Sequence, residues 1–349
     1  MKKKSLNAKK QVLKRFQFFQ NNPKILKIYK HFKKNIPIKK SNFIAGISGG
    51  PDSMALAFFL KCYSLENNIY IKYIHVDHKL RKNSSKEANI VKTNLSSIGI
   101  NLKINKWNGK KPKSNIQAIA RKNRYRLLLS GSKLKKKTLF LAHTKDDLIE
   151  NFFLRLIRGS GLEGISSFNS TKVSYENFDI CRPLIDIKKE ELIYVSSKIF
   201  KFYIQDPSNK DSIFKRVRVR KIISDLVQEG FDMNKLNITL KNLKSSNTAI
   251  KYYVNKNIIN NCKINKKQNL AILNESFFNQ PLEIKFRSLT KIIKQMSDKY
   301  YSPRGKKLTR VLNEIDGEKF KKLTISGCVI ENLGKLVILY PENDDQRTP

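Results

Sequence analysis

The stretch FIAGISGGPDSMALAFFL, Phe43 to Leu60, sets Ser-Gly-Gly-Pro-Asp-Ser between two apolar runs. Phe43 to Ile47 reads as a β-strand and Asp52 to Leu60 as a helix. Glycines at a strand-to-helix turn let the backbone bend tightly and approach a ligand. The helix that follows offers unpaired N–H groups to an anion. Pro51 suits the first helical turn, where its missing N–H would have had no partner. Ser48 and Ser53 can donate to phosphate oxygens. Asp52 beside a phosphate requires a bridging cation, which points to Mg2+. The ordinary alternative is a plain turn in which Asp52 is a first-turn acid favoured by the helix dipole. The strand–turn–helix context favours Ser48, Gly49, Gly50, Pro51, Asp52 and Ser53 as a phosphate loop. It is not a Walker loop, since the G-x-x-x-x-G-K-[ST] spacing and its lysine are missing.

Outward from this turn, strand alternates with helix. A basic helix over residues 22–36 precedes it. IYIKYIHVDH (Ile69–His78) alternates and is β-branched, so it reads as a strand. SSKEANIVKTNLSSIG (Ser84–Gly99) reads as a helix capped by Ser84 or Ser85 and stopped by Gly99. INLKINKW (Ile100–Trp107) is a third strand, NIQAIARKNRYRLLLSGSK (Asn115–Lys133) a helix, TLFLAH (Thr138–His143) a fourth strand and DDLIENFFLRLIRG (Asp146–Gly159) a helix. The alternation predicts an α/β protein with a Rossmann-like parallel sheet and helices on both faces.

The pattern weakens past residue 220. Phe231 to Asn260 looks helical and polar, and Lys322 to Glu342 looks like short strands. These features place a domain boundary at residue 225, between an α/β domain over 1–225 and a smaller, mostly helical region over 226–349 with short terminal strands. No Pro- or Gly-rich linker marks the boundary, and no internal repeat is present. The closing PENDDQRTP (Pro341–Pro349) is expected to fray.

The formal net charge is +43, from 71 Lys and Arg against 28 Asp and Glu. Such a surface attracts a polyanion. Compositional drift toward lysine, which far outnumbers arginine, would raise the charge without any such partner. No run approaches the roughly 18 consecutive apolar residues of a membrane-spanning helix. The basic N-terminus is not followed by a signal-peptide apolar segment, so a cytoplasmic protein is expected. Cys62, Cys181, Cys262 and Cys328 are far apart with no C-x-x-C. That argues against a disulfide framework, a zinc finger and a redox pair, and leaves buried thiols as the expectation. Four histidines make a histidine-rich metal site a poor fit.

Four further stretches carry chemistry. VDHKLR (Val76–Arg81) ends the second strand, at the sheet edge where α/β proteins bind ligands. Arg121 and Arg124 lie three apart and share a helix face, with Ile116, Ile119, Ala120 and Leu127 available to pack on the sheet. Beside a phosphate loop these arginines can hold phosphate or stabilise developing negative charge; in so basic a chain they can also be a solvated face. In LAHTKDDLIENFFLRLIRGSGLEGI (Leu141–Ile165), Leu148, Ile149, Phe152, Phe153, Leu156 and Ile157 form an apolar stripe. Asp147 and Glu150 project from the other side, where a carboxylate pair can bind an amine and accept its proton; acids near a helix N-terminus are also favoured by the dipole alone. Finally, Arg216, Arg218 and Arg220 alternate along the chain. They would line one face of a strand and spread on a helix, and either arrangement can hold an RNA backbone.

The loop Ser48–Ser53 resembles the pyrophosphate loop of the N-type ATP pyrophosphatases. Taken with AHTKDD…E…RGSG and DPSN (Asp206–Asn209), residues 40–225 closely resemble the tRNA(Ile)-lysidine synthetases. YYSPRGKKLTRVLNEI and SGCVIE extend a looser likeness into the last third. The resemblance implies ATP with Mg2+, an isoleucine tRNA with a CAU anticodon, and free L-lysine. ATP activates the C2 oxygen of the first anticodon cytidine, position 34, and the lysine ε-amine displaces AMP. The lysidine so formed reads AUA instead of AUG. It further implies Asp52 at the nucleotide and metal site, Asp147 and Glu150 at the lysine, Arg121 and Arg124 near nucleotide and cytidine, and a homodimer. Three positions depart from the family pattern: Leu148 stands for Gln, Asn151 for Thr, and Thr144 for a second His. The C-terminal tRNA-binding part is expected to be reduced. Two alternatives stay open. One is a tRNA thiolation enzyme of the same group, against which the scattered cysteines count. The other is a non-catalytic RNA-binding protein with a residual nucleotide loop.

Overall fold

The computed structural model of the chain describes residues 19, 21–36, 42–79, 83–109, 116–130, 137–166, 171–174, 178–205, 211–265, 267–297, 303, 305–317 and 320–342, with the backbone alone for 116–118 and 120–122. Leu80, Arg81, the DPSN stretch at 206–209, residues 300–302 and the tail from 343 lie outside these. The chain divides into two compact units, residues 1–237 and 238–349.

The first unit opens with α1 (Pro23–Lys34), β1 (Asn42–Gly46), α2 (Pro51–Asn67), β2 (Ile71–Asp77), α3 (Ser84–Ser96), β3 (Leu102–Lys106) and α4 (Ile116–Leu129). It continues with β4 (Lys137–Phe140), α5 (Lys145–Leu156), α6 (Leu162–Ser166), β5 (Lys172–Ser174), β6 (Phe178–Cys181), α7 (Lys189–Phe200) and α8 (Lys215–Gln228). The sheet order is β3-β2-β1-β4-β6-β5, parallel except for β5, which pairs antiparallel on the edge. The doubly wound parallel sheet is therefore as expected. β5 and β6 were not foreseen, being only three and four residues long.

Alternation along β1 explains the layers. Phe43 and Ala45 face a core with α1, α2 and α7, while Ile44 joins Ile74, Leu139 and Ile180 against Leu128 of α4. The sheet contact of α4 is thus made by Leu128 rather than Leu127, one position along the Leu127–Leu129 run, and Ile119 is exposed. Met54 to Leu60 of α2 are all fully buried, which is why that helix shows no polar face. α1 is fixed at its start by Asn22, whose side chain accepts from the Ile25 N–H at 3.1 Å, with Pro23 in the first turn.

The division between units falls inside one long helix, α9 (Met233–Asn261), later than the boundary expected at 225. The second unit then holds β7 (Cys262–Asn265), β8 (Leu270–Asn274), α10 (Glu275–Phe278), α11 (Leu282–Met296), α12 (Gly305–Asp316), β9 (Lys322–Ile325), β10 (Cys328–Asn332) and β11 (Leu336–Pro341). Its five strands form a sheet in the order β7-β8-β11-β10-β9 with antiparallel neighbours. Ser326 and Gly327, both at positive φ, make the two-residue turn between β9 and β10. Leu289, Ile292 and Ile293 of α11 and Leu308 and Leu312 of α12 pack with Leu273, Ile330 and Leu339 in its core.

Candidate active site

In the order β3-β2-β1-β4 the chain reverses direction across the sheet between β1 and β4. Ligands of open α/β sheets bind outside the strand carboxyl ends at such a switch point. The glycine loop leaves β1 there. Gly49 sits at φ +93°, and a Cβ on it would meet Val91 Cγ2 at 2.6 Å and Ile204 Cδ1 at 2.8 Å, so only glycine fits. Ser53 is buried and organises the loop. Its Oγ accepts from the Gly49 N–H at 2.9 Å and the Ser48 N–H at 3.2 Å, and donates to the Gly50 carbonyl at 2.9 Å. The Ser53 hydroxyl expected to face phosphate is therefore engaged within the loop.

One side of the loop opens into a cleft of about 230 Å³ between the ends of β1 and β2, lined among others by Ser48, His75, Asp77, His78, Glu87 and Arg124. His75 Nδ1 lies 2.9 Å from the Ile47 carbonyl. Burial pushes the pKa of His75 down, and burial with the nearby Arg124 guanidinium does the same to His78. His78 Nδ1 is buried without a hydrogen-bond partner. Burial works to raise the Asp77 pKa. Hydrogen bonds from Ser85 Oγ at 2.6 Å and the Lys79 N–H at 2.9 Å outweigh it and hold Asp77 below the usual range.

The other side carries the acids. Asp52 has a buried Oδ1 with no partner. Its carboxyl is pushed up to about 7, first by burial and then by the charges of Asp147 and Asp146, with Lys189 and Arg220 opposing. Asp146 accepts from the Lys189 N–H at 2.8 Å, tying the start of α5 to the start of α7. Ser196 of α7 donates to the Pro51 carbonyl at 2.6 Å, tying α7 to the loop. Asp147 and Thr144 form a capping box. Asp147 Oδ2 accepts from the Thr144 N–H at 3.0 Å, and the Thr144 hydroxyl accepts from the Asp147 N–H at 3.3 Å. The box uses Oδ2 and leaves Oδ1 of Asp147 for another partner.

Glu150 is buried and accepts from Arg220 twice, Nε at 2.5 Å and a terminal nitrogen at 3.3 Å. Burial opposes the Arg220 charge, but the hydrogen bond and charge of Glu150 outweigh it and raise the Arg220 pKa. Of the three alternating arginines, Arg220 thus points into the acid cluster. Arg218 donates to the Ser212 and Ile213 carbonyls at 2.8 and 3.0 Å, and Arg216 is exposed. They lie on α8, where Arg216 and Arg220, four apart, share a face and Arg218 lies on the other side. Arg124 lines the cleft; Arg121 is one turn away on α4, its side chain outside the described residues. The apolar stripe of α5 is only half realised. Leu148 and Ile149 are buried, but Leu156 is 50% and Ile157 64% exposed, because the helix ends at Leu156.

The sequence reading missed the cleft's histidine pair and the Glu150–Arg220 bond. The histidines at 75 and 78 were visible as a polar strand end. The ion pair joins residues 70 positions apart, which no local periodicity can connect.

Set beside known proteins, the chain matches a family described as the PP-loop domain over residues 20–227. It is 34% identical over 210 residues to the tRNA(Ile)-lysidine synthase of Bradyrhizobium diazoefficiens, covering 59% of this chain and 58% of that one. The tRNA(Ile)-lysidine synthase of Wolbachia pipientis wMel is 30% identical over 302 residues, 85% of this chain and 70% of that one. The chain belongs to the tRNA(Ile)-lysidine synthase family. The PP-loop match implies ATP binding. A further relative, the tRNA(Ile)-lysidine synthase of Rickettsia felis, is 30% identical over 325 residues, 90% of this chain and 74% of that one. The chain thus spans little more than half the length of the Bradyrhizobium relative.

Among solved structures, the U34-tRNA thiolase NcsA from Methanococcus maripaludis superposes with a TM-score of 0.50 at 18% identity, covering 64% of this chain and 77% of that one. That likeness is one of fold. Cys62, Cys181 and Cys328 are buried here, and no group of three or more His, Cys, Asp or Glu among the described residues is arranged to hold a metal ion. Burial pushes the Cys181 thiol up to about 12 and that of Cys262 to about 11, away from the reactive thiolate. Among the described residues no helix is long and apolar enough to cross a membrane.

Proposed function

We propose that the chain ligates L-lysine to C2 of the first anticodon cytidine, position 34, of the isoleucine tRNA with a CAU anticodon, in the cytoplasm and at the expense of ATP. The observation that carries this is the gathering of Asp52, Asp146, Asp147 and the Glu150–Arg220 pair beside a phosphate loop at the sheet's switch point. Phosphate donors, acids for an amine and a basic surface for RNA fit one reaction. The cytidine C2 oxygen attacks the α-phosphorus of ATP, and pyrophosphate leaves. The lysine ε-nitrogen then attacks C2, loses a proton, and AMP departs with the C2 oxygen.

The chain's own groups divide the work. The cleft with His75, His78 and Arg124 takes the nucleoside end of ATP. The backbone of Ser48 to Gly50 and the N-terminus of α2 receive the phosphates. Arg124 is assigned to the developing negative charge from α4, and Arg121, one turn away in sequence, to the same role. Asp147 Oδ1 holds the amine and takes its proton. Glu150, held by Arg220, is assigned with Asp147 to the amine site, while Arg216 and Arg218 are assigned to RNA phosphates.

Mg2+ prefers one or two carboxylates plus substrate phosphates to an all-protein cage. The unpartnered buried Asp52 Oδ1, close to other acids that form no cage of their own, fits such an ion. Bound there, Mg2+ would neutralise phosphate charge.

The test is ATP–pyrophosphate exchange dependent on the isoleucine tRNA, run on wild type and on Asp147→Asn. The reading expects tRNA-dependent exchange in both, with lysine transfer lost in the variant. Loss of ATP binding in Asp147→Asn would contradict its assignment to lysine.

A further inference from the structure

α9 carries five lysines and no acidic residue in its 29 residues, Met233 to Asn261. It therefore forgoes the i,i+4 ion pairs that ordinarily support an exposed helix. Leu240, Asn247, Val254 and Asn257 are buried and define its inner stripe. At about 3.6 residues per turn, Tyr252 lies opposite that stripe, in line with Ile238, Lys241, Lys256 and Ile259. This outer face is oddly apolar for solvent: Ile238 is 59% exposed, Tyr252 63% and Ile259 78%, with Tyr253, 55% exposed, next round the helix. The rings of Tyr252 and Tyr253 stand edge to face with centroids 5.4 Å apart, which leaves ring faces open.

Single exposed apolar residues need no explanation. An aromatic pair with Lys256 one turn beyond both rings, Lys251 next in sequence, Lys241 and Lys244 farther along and no acid on the helix is a different case. The charge selects a polyanion, and the rings select one with unpaired planar groups. We propose that this face of α9 is a stacking platform for unpaired RNA bases, with Tyr252 and Tyr253 contacting bases and Lys251 and Lys256 the adjoining phosphates. It deepens the reading of the chain as an RNA-modifying enzyme and rests on it for the choice of RNA.

Direct binding of the full chain to the isoleucine tRNA transcript, without ATP or lysine, separates this proposal from the catalytic one. Tyr252→Ala/Tyr253→Ala is expected to weaken binding by about tenfold to a hundredfold with the salt dependence unchanged. Tyr252→Phe/Tyr253→Phe should bind as wild type. Lys251→Gln/Lys256→Gln should lower the slope of log affinity against log salt by about 2. An abasic oligonucleotide should not distinguish the tyrosine variants from wild type. Undiminished tRNA binding by the double alanine variant overturns the platform, as does an equal loss on the abasic strand. A shift in self-association in place of RNA affinity assigns the face to a protein contact and overturns it as well. ATP binding, measured in the same preparations, is expected to be unchanged in every variant.

Discussion

Replacing Asp52 with Asn tests the electrostatic state of the loop. The carboxyl stands at about 7 in the fold against an ordinary value of 3.8, mainly because it is buried and faces Asp147 and Asp146. The sign follows from proton counts. Between about pH 4 and pH 7 the folded chain holds a proton on Asp52 that the unfolded chain has lost, so this residue's contribution to stability falls as pH rises through that window. Above pH 7 both states are ionised and the penalty is complete. A rise of that size corresponds to about 4 kcal/mol. Asn keeps the shape and never ionises, but it gives up the favourable dipole contact of a first-turn acid, about 0.5–1 kcal/mol. Burial therefore wins. The variant without ligand should be more stable than wild type by about 3 kcal/mol at pH 8 and show almost no gain at pH 4. Urea unfolding at the two pH values, with unchanged m, measures this. A variant less stable than wild type at pH 8 would refute the reasoning. It would mean that the ionised carboxylate is welcome in the empty loop. The same variant should bind Mg2+-ATP more weakly, since it lacks the carboxylate charge assigned to the ion.

Other substitutions probe the remaining contacts. Gly49→Ala must place its Cβ against Val91 and Ile204 at a left-handed φ, and should cost at least about 1–3 kcal/mol in thermal unfolding together with nucleotide affinity. Thr144→Ala removes the cap of α5 and should lower stability by about 1 kcal/mol; an unchanged melting temperature would count against the capping box. Arg220→Ala strands the buried Glu150 carboxylate and should cost about 3 kcal/mol, much of it recovered in the double variant Arg220→Met/Glu150→Gln.

The phosphate loop and the winding of the sheet were legible because both rest on local rules, a glycine turn between two apolar runs and alternation of period 2 with period 3.6. What stayed hidden was short or non-local. β5 and β6 are too brief for periodicity to register, and β5 is an edge strand with exposed residues at both ends. In the triple leucine of α4 the periodic pattern could not decide which residue reaches the sheet, and the structure selects Leu128. The stripe of α5 was drawn one turn too far, since periodicity does not reveal that the helix stops at Leu156. Asp147 was open to two readings, an acid favoured by the helix dipole or an amine site; the capping box that engages one of its oxygens was not foreseen. Arg220 was counted with Arg216 and Arg218 because alternation was the only visible cue, whereas the fold turns it onto Glu150.

Lysine transfer to the tRNA is the decisive assay. The chain, Mg2+-ATP and labelled L-lysine are incubated with the CAU-anticodon isoleucine tRNA, and in parallel with the CAU-anticodon methionine tRNA. Label is expected on cytidine 34 of the isoleucine tRNA alone, and is expected to be lost in Asp147→Asn. Absence of label while tRNA-dependent ATP cleavage proceeds would contradict lysine as the nucleophile, and absence of both would contradict the assignment of a tRNA-modifying ligase.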